Sequence, residues 1–72
     1  MSYFNVSREG YPVQVRGTLE DAMDTMVALL GCEDCSDPVF TIAQSCQKFN
    51  KGRIVYVFEW QKKIVKIFPC LL

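Results

Sequence analysis

The chain has 72 residues, half of them hydrophobic, with eight acids balanced by eight bases and no histidine. That length holds one domain, residues 1–72, whose core buries only about 60% of the unfolded surface, so stability is narrow and a staple or second chain is a natural supplement. The hydrophobic content excludes a disordered chain. The missing histidine removes the usual general base and triad member.

In chain order, residues 3–7 alternate with Phe4 and Val6 on one face, as a strand does. Arg8, Glu9 and Gly10 form a turn, and Tyr11 to Gly17 alternates again, Val13 and Val15 inward, Gln14 and Arg16 outward. Pro12 belongs at a strand start or on an edge. This N-terminal hairpin feeds the best-marked element, Thr18 to Gly31. Thr18 caps it, Glu20, Asp21 and Asp24 complement the positive end of its dipole, and Leu19, Met23, Met26 and Leu30 recur at helical spacing. Gly31 supplies a left-handed stop, and Cys32 the hydrophobic contact beyond it.

The loop CEDCSDP follows. Ser36 or Asp37 as cap, Pro38 in the first turn, and Val39, Ile42, Ala43, Cys46 and Phe49 at helical spacing predict a second helix, stopped by Asn50, Lys51 and Gly52. The alternative is that Val39–Ile42 is a short strand. Arg53 to Trp60 is almost wholly β-branched and aromatic, the best strand in the chain. Lys63 to Phe68 is its hairpin partner, joined by Gln61-Lys62 without the usual glycine, with Pro69 ending the ladder. The order predicts an α+β two-layer ββααββ domain: an antiparallel sheet of about four strands with two helices on one face.

Charge is segregated. Glu20, Asp21, Asp24, Glu33, Asp34 and Asp37 fall in a stretch with no base, while Lys48, Lys51, Arg53, Lys62, Lys63 and Lys66 face Glu59 alone. The acidic run is a candidate partner-binding face, weighed against a solvated helix face with dipole-matched charges. The C-terminal hairpin is a candidate dimer or partner surface through Tyr56, Phe58, Trp60, Lys62, Lys63 and Lys66. Its strands are apolar on both faces, which calls for cover on both sides.

Cys32 and Cys35 make a C-x-x-C, with Cys46 and Cys70 apart. A structural zinc site would need all four thiolates and lacks a second paired knuckle. A redox pair belongs at a helix N-terminus; this one follows a helix end and is flanked by carboxylates, which raise thiol pKa. A disulfide framework suits a secreted chain, and no secretory signal is visible. Buried small hydrophobes are the plainer reading. No cofactor, no metal and no enzymatic activity are expected. No run approaches the roughly 18 apolar residues of a membrane helix, and the cysteine third from the end does not fit prenylation. The expectation is therefore a soluble cytoplasmic protein.

A small α+β domain without catalytic apparatus, with segregated charge and surplus apolar sheet surface, is similar in profile to small phage and mobile-element proteins. That similarity is one of size and composition, and it implies inhibition of a host protein or complex, as by anti-CRISPR and anti-restriction proteins. The expected function is a non-enzymatic binding module acting by protein–protein contact, with a homodimer possible. The alternative is a small nucleic-acid-binding protein using the basic-aromatic hairpin. A zinc-stapled structural domain is the third.

Overall fold

The computed structural model describes residues 2–44 and 52–71. Among these residues five strands and one helix follow in the order β1 (Ser2–Arg8), β2 (Gln14–Arg16), α1 (Leu19–Leu30), β3 (Val39–Gln44), β4 (Ile54–Trp60) and β5 (Lys63–Leu71). The strands form one antiparallel sheet ordered β2-β1-β5-β4-β3, with α1 on one face. The α+β class and the two terminal hairpins are as the sequence predicts, with the second strand confined to Gln14–Arg16 of the expected Tyr11–Gly17; among the described residues the sheet has five strands rather than about four, and one helix stands where two were expected.

The helix forms where its local signals say. Thr18 is extended and its Oγ1 accepts the Asp21 backbone N–H at 3.1 Å, while Gly31 closes the other end at a φ of 75°. No basic residue lies in the last turn. The strands supply the cations instead. Arg8 of β1 donates to the Leu29 carbonyl at 2.7 Å, and Lys63 of β5 donates to the Leu30 carbonyl at 2.8 Å. Two carbonyls left open by the helix end are thus satisfied by positive charge at the negative pole of the dipole.

Ala22, Met26 and Leu30 of α1 are fully buried against Val6, Val65, Ile67 and Phe58 from the three central strands. Burying a side chain the size of Met26 or Leu30 contributes about 1.5–3 kcal/mol. Strand alternation turns a second cluster, Val55, Phe68 and Cys70 with Tyr3 and Val57, to the face away from α1. The aromatic face of β4 therefore meets the helix, and the opposite faces of β4 and β5 carry their own apolar cluster.

Three expectations are corrected. The second helix is β3: the β-branched and aromatic run Val39–Ile42 pairs along β4 from Val39↔Glu59 to Gln44↔Ile54, and a ladder of six cross-strand pairs outweighs the capping signals of Asp37 and Pro38. Cys46, Phe49, Asn50 and Lys51, assigned to that helix and its stop, lie outside the described residues. Val13 and Val15 do not face the core; each is 57% exposed, and the β1–β2 register turns Gln14 and Arg16 to the helix side with Phe4 and Val6. Gln14 and Arg16 are half-buried on that side, while Val15 looks outward. Pro69 does not end β5, which runs on to Leu71 along β1 with Phe4 opposite Pro69. The β4 ladder stops at Ile67, so β5 is there paired on one side only, the setting in which a strand accepts proline.

Candidate functional site

The site follows from the reach of α1. The helix contacts β1, β5, β2 and β4, and among the described residues it does not touch β3. Every residue of β3 is accordingly exposed, Phe40 at 50% and Ile42 at 60%. Cross-strand pairing sets Phe40 opposite Phe58 and Ile42 opposite Tyr56, so these four share the helix-side face. Leu19 and Met23, at the outer edge of the helix stripe, face them across an open groove of 470 Å³ that Cys35 also lines. The Phe40 ring lies 5.1 Å from Phe58 and 5.8 Å from Tyr56, centroid to centroid, within the range of favourable tilted stacking.

Acidic charge lies beside Cys35. The Asp34 carboxylate takes a hydrogen bond from the Cys35 thiol, and together with burial, the Asp34 charge and the more distant Asp24 charge this pushes the Cys35 pKa up. Asp34 itself is held below the usual carboxylate range, chiefly by the Ser36 backbone N–H and next by that thiol. Asp37 accepts the backbone N–H groups of Glu33 at 3.1 Å and Asp34 at 3.0 Å. Asp34 and Asp37 therefore fold the loop as well as charge it. Glu20, Asp21, Asp24 and Glu33 are exposed, so the acidic run lies open to solvent along α1 and the loop that follows.

The predicted basic-aromatic surface is not gathered on one face. Tyr56, Phe58 and Trp60 turn to the helix side and pack on the core. Lys66, opposite Ser7 and Val57, faces away from the helix. Lys63 is committed to the helix end, and Lys62 sits exposed in the hairpin turn. A shallow polar depression beside them includes Glu9 with Arg8, Lys62 and Lys63, which dilutes the positive charge.

The cysteines also separate. Cys32 packs beneath the helix end, Cys35 opens into the groove, and Cys70 is buried in the cluster on the other face. The sheet stands between Cys70 and the C-x-x-C; Cys46 lies outside the described residues. Among the described residues no three cysteine, aspartate or glutamate side chains gather as metal ligands would, and no helix is long and apolar enough to cross a membrane.

Phe40 and Ile42 do not stand out as site residues in the sequence because the helical reading of 38–49 places Ile42 in a core stripe, and Cys35 is legible there only as a possible metal ligand in the C-x-x-C. The readable signal was an uncharged, apolar strand following a short acidic loop. Compared with family models, with curated proteins and with solved structures, the chain matches none.

Proposed function

We propose that the protein is a non-enzymatic binding module that acts by protein–protein contact, in its concrete form an inhibitor of a host protein or complex. The observation that carries the reading is the open apolar groove between α1 and β3, with Phe40 and Ile42 more than half uncovered or nearly so in a domain with little core to spare. An exposed apolar recess with a polar rim marks an interaction site. The floor suits an aromatic or aliphatic anchor of a target, and the acids at the rim favour a target with basic residues around that anchor. The size and composition shared with phage inhibitors support the choice of target class.

The test is capture from host lysate by tagged wild-type chain, by Ile42→Asp and by Asp24→Lys, each with and without nuclease. A single complex enriched under both conditions, lost with Ile42→Asp and weakened with Asp24→Lys while both variants keep the wild-type far-UV spectrum, supports the reading. Enrichment that disappears with nuclease moves the function to nucleic acid, and capture unaltered by Ile42→Asp removes the groove.

A further inference from the structure

We infer that two copies of this chain pair edge to edge through β3. The two sheet edges differ in how they are protected. β2 is only three residues long and carries Arg16, a short and charged edge of the kind that resists pairing. β3 is six residues long, VFTIAQ, with neither charge nor proline, and pairs among the described residues with β4 alone. An uncharged apolar edge of that length is a template for another strand.

The edge is complementary to itself. Antiparallel pairing about a two-fold axis at Thr41 sets Phe40 opposite the second copy's Ile42, Val39 opposite its Ala43, and Thr41 opposite its own equivalent. No like charges meet, and aromatic–β-branched pairs are favourable across strands. The strand ends are complementary too. β3 is preceded by Glu33, Asp34 and Asp37, and its far end lies against the start of β4 next to exposed Arg53, because Gln44 pairs with Ile54. A two-fold axis carries the acidic loop of each copy to the Arg53 end of the other.

The two five-stranded sheets then form one continuous sheet. The Phe40 and Ile42 side chains of both copies make a single apolar floor walled by the two helices. This pairing stands apart from target binding: it uses the backbone edge of β3, and the helix-side groove stays open.

The test is sedimentation equilibrium of the full chain from about 1 µM to about 500 µM, because an interface of this small area belongs to the weak class. The mass is expected to rise from the 8.3 kDa of one chain toward twice that value. Thr41→Lys places two like charges across the axis on an exposed position and is expected to weaken the dimer about tenfold or more; Thr41→Val, which keeps strand propensity without charge, should dimerise as wild type. Amide exchange along Val39–Gln44 should slow with increasing concentration in wild type and not in Thr41→Lys.

A chain monomeric throughout, a dimer indifferent to Thr41→Lys, or protection at another surface overturns the inference. A monomeric wild type that still captures its target through the groove would leave the binding function standing. In that case protection of β3 on adding target would assign the edge to a foreign strand.

Discussion

Arg8 and Lys63 show how much of the helix end is decided far from it in sequence. Each donates to a carbonyl of the last turn, from 21 and 33 residues away. A charged hydrogen bond at a helix C-terminus contributes about 1 kcal/mol, so Lys63→Met and Arg8→Met should each lower stability by about that amount. Urea unfolding measures it; a change no larger than that of exposed Lys62→Met would show the contact to be idle. At the groove, a raised pKa keeps Cys35 as the thiol at neutral pH, and only the thiolate is alkylated. Its iodoacetamide labelling should climb only above the ordinary thiol range, and Asp34→Asn should shift that climb to lower pH. Peptide-resolved mass spectrometry separates Cys35 from the other cysteines, and an unchanged profile would dismiss the Asp34 bond. Because the Asp34 pKa is depressed on folding, its contribution to the loop is present above the unfolded aspartate pKa and is lost as pH falls through the lower folded value.

Among the elements, the β4–β5 hairpin carries a visible strain. Gln61 and Lys62 have φ of 49° and 65°, both in the left-handed region that two-residue hairpin loops of type I′ require. Non-glycine residues pay about 1–2 kcal/mol each there. Gln61→Asn with Lys62→Gly should therefore raise stability by about 1 kcal/mol after the extra freedom glycine gives the unfolded chain. A loss of stability in thermal unfolding would mean that the native turn is not the one described. The same contrast governs what the sequence revealed. α1 was legible because cap, stripe and stop are all local, from Thr18 to Gly31. β3 was legible only as the alternative strand Val39–Ile42, because alternation marks a strand only when one face is wet and one dry, and both faces of Val39–Gln44 are exposed. Without that signal Asp37 and Pro38 spoke for a helix, and the pairing with β4 that decides the matter is not local.

At the scale of the whole molecule, the groove exists because one twelve-residue helix is asked to cover five strands. The surplus of apolar sheet was readable in Tyr56, Phe58 and Ile64; that it would open between α1 and β3 depends on how far the helix reaches, which no local pattern encodes. The acidic run was legible as a run, but the use of Asp34 and Asp37 to fold their own loop was not. The topology also fixes how the chain must fold. Its most extensive pairing joins the first strand to the last, from Ser2↔Leu71 to Arg8↔Val65, and this β1–β5 pair lies at the centre of the sheet beneath α1. Val6 and Ile67, both fully buried, meet there. Loop closure over nearly the whole chain comes before that contact repays it, so folding should take about milliseconds to seconds despite the small size. Trp60, half-buried against the core, reports the transition in stopped-flow fluorescence. Ile67→Val should cost about 0.5–1.5 kcal/mol, and its effect should fall on the folding rate if the β1–β5 closure belongs to the nucleus. Microsecond relaxation, or an Ile67→Val effect confined to unfolding, would place the nucleus in the local β4–β5 hairpin and its contact with α1, with the β1–β5 closure following it.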